Sequence, residues 1–271
     1  MVENSKTDVP DKKQTQEEYQ LIFAAFLRLI NSYENSAEKW EVMEDIINLR
    51  ASFLIDRILT GLRMDFDRAL EIIKNHNNFT SELERRQRDV LLAGIDNLVD
   101  FAAAEEYRMM EELTGLPDFD TAEIYEPVFE KYNLIYAGVE NGDVLHAATI
   151  AAWWITLENE TFVTFMTQGD ERVRAWHLSH EGISCPKRDF PPELIPPIEF
   201  GCRCFLITDS YSSVSGALNK KELKNNINPV FKESLATGGR IFSEEHPYFK
   251  RPLPIEIKNI AARIKVKLHI V

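Results

Sequence analysis

Apolar residues recur at helical spacing through the first 157 positions and give way to β-type runs after Glu160. Leu21, Ile22, Ala25, Phe26, Leu29 and Ile30 lie three and four apart, which places them on one helical face. Thr15 and Glu18 have the spacing of a capping box, so this helix is expected to start there. Met1–Gln14, polar and charged, reads as a flexible tail. A second stripe begins near Ser36 and holds Trp40, Met43, Ile47, Leu54, Ile58 and Leu62. Asp67–Asn75 predicts a short helix that stops at an Asn-rich stretch. Thr80 or Ser81 then caps a long helix through Leu83, Val90, Leu91, Ile95, Leu98, Val99 and Phe101. It runs to Leu113, before Gly115 and Pro117. Helical patterns over Thr121–Tyr136, with Pro127 as a weak point, and over Asp143–Leu157 complete the set.

Phe162–Met166 and Phe205–Ile207 are the strand candidates. The pattern therefore predicts an α+β fold. A mostly helical N-terminal region carries a small β-containing Cys/His hairpin unit and a short basic C-terminal segment. The divisions fall at a tail 1–14, a helical domain 15–158, a core unit 159–215 ending in a Ser-rich linker, and a segment 216–271. Residues Ile255–Val271 fit a helix or an alternating strand equally.

Composition narrows the function classes. With 271 residues, 44% of them hydrophobic, the chain can build one large core or two small ones. Its formal net charge of -13 repels nucleic acid except through a local basic patch. Such a patch is available from Gly216 onward, where eleven Lys and Arg face five Asp and Glu. The polar opening MVENSKTDVPDKKQTQ argues against a secretory signal. The apolar run Val144–Leu157, broken by His146, Thr149 and Thr156, is too short to span a membrane. Three cysteines make no disulfide framework and fit a reducing cytoplasm.

The cysteines and histidines concentrate in one stretch. His177, His180, Cys185, Cys202 and Cys204 are candidate zinc ligands, because imidazole and thiolate suit that ion. Two cysteines at i and i+2 on an extended chain point to one side and can reach a single metal. The competing reading is a metal-free hairpin. It would be held by buried cysteines and by ion pairs from Asp170, Arg172, Arg174 and Arg203.

The order of residues here carries a family resemblance. Thr167-Gln168-Gly169-Asp170-Glu171-Arg172-Val173-Arg174-Ala175-Trp176-His177, then Gly182, Pro196-Pro197 and Gly201-Cys202-Arg203-Cys204, resembles the signature of the phage Mu F-like minor head proteins. The resemblance covers roughly residues 160 to 207. Many relatives carry a Cys-x-x-Cys pair where this chain has Arg174 and His177. The family's Arg-Thr-Glu element is lacking in the preceding helix, which reads His146-Ala147-Ala148-Thr149-Ile150-Ala151-Ala152-Trp153. The resemblance implies a minor, non-enzymatic head protein of a tailed bacteriophage, acting in head assembly or DNA delivery. Its partners would be the portal and other head proteins, with packaged DNA reached through the basic segment. Its location would be the virion, and the host cytoplasm during assembly.

An enzyme or toxin-type effector using the His/Cys cluster is the alternative. Glu181 is the nearby acid available as a base, but only about 55 residues follow Gly216, little for a catalytic domain. A plain helical interaction module is a third class. Trp153-Trp154 is expected to pack between helix and strand. Arg85-Arg86-Gln87-Arg88, flanked by acids, is expected to form a solvated face, as are Glu105-Glu106 and Glu111-Glu112. Gly238-Gly239-Arg240 lacks the context of a phosphate loop.

Overall fold

The computed structural model describes residues 12–75, 78–208 and 227–270. The Ser-rich linker and most of the expected tail lie outside them. Packing divides the chain into two compact units. One comprises the chain up to Arg57, Ile95–Gly142 and the chain from Pro247. The other comprises Ile58–Gly94 and Asp143–His246. Helices α1 (Lys12–Ser32), α2 (Ser36–Leu62), α3 (Phe66–Lys74), α4 (Glu82–Thr114), α5 (Ala122–Glu130) and α6 (Ala137–Trp154) precede the strands, with a π-helical turn at Lys131–Tyr136. No helix of the described residues is long and apolar enough to cross a membrane.

In the first unit most of the expected stripe is the core, but Leu21 faces solvent and Ile30 is half-buried. Ile22, Phe26 and Leu29 are buried with Ile46, Ile47, Phe101 and Phe129, and the rings of Phe26 and Phe129 lie 4.7 Å apart. Two expectations fail here. The capping box does not form: Thr15 and Glu18 lie buried inside α1, and Glu18 accepts a hydrogen bond from Arg57 at 2.8 Å. Glu105 and Glu106 are not on a surface but fully buried. Arg50 on α2 is the reason. Its guanidinium donates to Glu105 at 2.7 Å, Glu140 at 2.9 Å and Asn141 at 2.7 Å, which supplies the counter-charge that interior carboxylates require. Burial, reinforced by the neighbouring Glu105, pushes the Glu106 carboxyl up to about 8.

The chain end settles as helix α8 (Ile255–Lys267), with Ile257, Ile260, Ala261 and Ile264 buried. Its cations find carboxylates of the same unit: Arg263 and Lys267 on Glu44, and Lys265 on Asp96 and Asp100 at 2.7 and 2.8 Å.

In the second unit α4 starts as expected. Ser81 accepts from the Glu84 amide at 3.2 Å, and the Glu84 carboxylate accepts from the Thr80 amide at 2.7 Å. The basic run beyond is a solvated face, where Arg85 and Arg86 both pair with Glu82. A three-stranded antiparallel sheet in the order β2-β1-β3 follows α6. Strand β1 (Phe162–Met166) sits in the centre, with β2 (Ser184–Pro186) and β3 (Phe205–Thr208) on either side. The register sets Val163 opposite Cys185 and Phe165 opposite Leu206. Val163 and Phe165 alternate inward and are fully buried. Trp154 is buried and packs its ring against Phe190 at 5.8 Å, in the loop after β2 rather than on a strand, while Trp153 is half-buried.

Candidate metal centre

The loops that join these strands carry the site, and each is held by identifiable contacts. After β1 the chain turns at Asp170, whose carboxylate accepts from the Arg172 amide at 3.1 Å. The same carboxylate takes the Arg203 guanidinium in a two-pronged pair at 2.8 and 2.7 Å. This ties the loop after β1 to the segment that enters β3. The pair is exposed rather than set in an apolar site, so it fixes geometry without a large burial cost. Asp170 is accordingly held below its ordinary range by Arg203. The Arg172 guanidinium adds to that pull through its charge, without a hydrogen bond or ion pair among the described residues.

A single helical turn, α7 (Ala175–Leu178), presents His177. The chain then reverses into β2 at Gly182, whose φ of +83° suits glycine. The Gly182 amide donates to Phe165 O at 2.9 Å and thereby closes the hairpin. On the other side Gly201, at φ +65°, opens the turn that delivers Cys202 and Cys204. Asp143 of α6 receives the Gly201 amide at 2.9 Å. Burial drives that carboxyl well above the usual range, against the pull of the Gly201 and Cys202 amides. Three residues along the same helix, His146 Nε2 donates to Cys204 O at 2.8 Å.

His177, Cys202 and Cys204 converge, all three buried, with their donor atoms within 4.8 Å of one another. His177 Nδ1 lies 3.2 Å from Cys204 Sγ and 4.0 Å from Cys202 Sγ. Tetrahedral zinc spaces such donors about 3.5 Å apart, so the cluster can hold a metal ion with small adjustments. The Cys204 thiol hydrogen-bonds Cys202, and with His177 beside it Cys202 sits well below the usual thiol range. The same bond, together with burial, pushes Cys204 up.

The imidazole is oriented from behind. His177 Nε2 faces Glu199 Oε2 at 3.3 Å, and Glu199 is in turn paired with Arg174 at 3.1 Å. With Nε2–H donating to Glu199, the Nδ1 lone pair is directed at the cysteines, the arrangement in which a carboxylate fixes a ligating histidine. Arg174 also donates to Phe200 O at 2.9 Å.

Two residues expected among the ligands stand outside the cluster. His180 is buried, but its Nδ1 donates to Trp176 O at 2.7 Å and it is not among the converging donors. Cys185 is locked in β2 opposite Val163, and burial raises its thiol. Glu181 accepts from Thr167, bracing the ends of the hairpin. Asp143, His146 and Glu199 were missed from the sequence. The first two left a faint signal, as polar residues three apart in an apolar helix. Comparison with family models, with curated proteins and with solved structures found no match.

Proposed function

We propose that this chain is a minor head protein of a tailed bacteriophage, acting with the portal and other head proteins in head assembly or DNA delivery, and that zinc at His177, Cys202 and Cys204 fastens its β-containing unit. The observation that carries the reading is the joint placement of the residues that bear the family resemblance. Asp170 and Arg203 pair, Arg174 supports His177 through Glu199, Gly182 and Gly201 make the two turns, and Cys202 and Cys204 meet His177. A motif that acts as one folded unit is expected to place its members this way, whereas a chance match would leave them scattered. Zinc suits a buried set of two thiolates and one imidazole and adds cross-links where strands of three to five residues offer little core.

The test is to induce phage in the source bacterium, purify the particles on a density gradient and blot them with an antibody to this chain. Co-sedimentation with full and empty heads at a few copies per particle is expected. A chain found only in the soluble lysate, never with heads, would sink the proposal.

A further inference from the structure

We propose that the cleft beside the centre binds a carboxylate, which fills the fourth coordination position of the metal and is gripped by Arg172. This rests on the reading of His177, Cys202 and Cys204 as metal ligands. Among the described residues those three donors alone converge. The other nearby donors are engaged elsewhere: His180 on Trp176 O, His146 on Cys204 O, Asp143 on the Gly201 amide, Glu199 behind the imidazole. Zinc with two cysteines and one histidine takes four ligands, and in three-ligand protein sites the fourth comes from outside.

The cleft fits such a ligand in position, size and charge. It is lined by His177 and Cys204, two of the three donors, with Arg172, Arg174, Arg203 and Gln168 around them. The cleft is open to solvent on one side and narrow at its base, with a volume of about 20 Å³, so only the head of a ligand enters. Two thiolates cancel the charge of a divalent ion. Arg174 and Arg203 are balanced by Glu199 and Asp170. Arg172 acts on the same Asp170 without pairing to it, so three guanidiniums meet two paired carboxylates at the mouth, an excess of one positive charge that favours a monoanion. A planar guanidinium matches a carboxylate in shape as well as charge.

Cobalt(II) loaded into the full chain is the probe, because its visible bands report the coordination shell. Thiolate-to-cobalt charge transfer, lost in Cys204→Ser, tests the metal reading first; without it that reading falls and this one with it. Given those bands, titration with sodium acetate is expected to shift them, while sodium chloride at equal ionic strength does not. Arg172→Gln is expected to leave the acetate-free bands unchanged and to raise the half-saturating acetate concentration about tenfold. The blocked tripeptide acetyl-Ala-Glu-Ala-amide separates the sources. Binding tighter than acetate assigns the ligand to a protein side chain, and equal or weaker binding to a free carboxylate. Cobalt bands that ignore acetate, or an Arg172→Gln protein that binds it as the wild type does, would overturn the carboxylate site while leaving the metal centre standing.

Discussion

Arg50 is the residue whose loss the first unit should tolerate least. It is 1% exposed and donates four hydrogen bonds, two to Glu105, one to Glu140 and one to Asn141. Arg50→Ala removes the counter-charge and leaves the acids in a site closed to water. Breaking one side of a buried pair costs about 3–5 kcal/mol. An independent route gives a similar figure. A glutamate deprived of its cation takes up a proton instead, which at pH 7 costs roughly 3–4 kcal/mol from an ordinary carboxyl. For a chain of this size the loss corresponds to a fall of roughly 6–20 °C in melting temperature by calorimetry. Arg50→Met combined with Glu105→Leu should recover more than half of it, because an apolar pair has no charge to strand. A loss below about 1 kcal/mol for Arg50→Ala, the range of exposed pairs, would refute the argument, as would a double variant no better than the single one.

Three further outcomes follow from the same contacts. Glu106 has its folded-state pKa raised to about 8, so the folded chain keeps a proton that the unfolded chain releases; stability is fully present below about 4.5 and is lost as pH rises through 8, by at most roughly 1.4 kcal/mol per pH unit, and urea midpoints of Glu106→Gln should lack that slope. Gly182→Ala should cost about 1–2 kcal/mol, read as a shifted urea midpoint, from its left-handed backbone alone, since an added Cβ meets nothing within 4 Å. Chelation should lower the melting temperature of metal-loaded protein and leave Cys204→Ser unmoved, with elemental analysis showing one zinc per chain before treatment and none in the variant.

Periodicity carried the helices well, because a stripe such as Met43, Ile47, Leu54 and Ile58 has one economical burial and the structure adopts it. Ser81 and Glu84 form the expected helix start, since both partners are local. What failed depended on distant partners. Glu18 looked like half of a capping box until Arg57 claimed it, and Glu105 looked solvated until Arg50 entered from another helix. Strand β2 escaped notice because Ser184–Pro186 is too short to show a period. At the candidate centre the close Cys-x-Cys pair and His177 were readable. The choice among His177, His180 and Cys185 was not, because it turns on where one helical turn and one glycine aim each side chain.

The same logic changes how the basic chain end should be weighed. Counted locally, eleven cations from Gly216 onward make a basic patch of the kind that binds DNA. Of the eight that lie among the described residues, six, Lys232, Arg240, Arg251, Arg263, Lys265 and Lys267, lie within 4 Å of a carboxylate of this chain. A cation already paired must exchange its partner before it neutralises a phosphate, and the exposed acid left behind repels the same backbone. Each phosphate contact steepens the dependence of log K on log salt by about 0.9 for duplex DNA. Affinity resting on all eleven would therefore show a slope near -10, whereas affinity limited to the remaining five would show one no steeper than about -4.5. A salt titration of fluorescent duplex binding to the full chain decides between them. The ion pairs of α8 with Glu44, Asp96 and Asp100 argue for the shallow slope, and a slope near -10 would mean that those pairs open when DNA arrives.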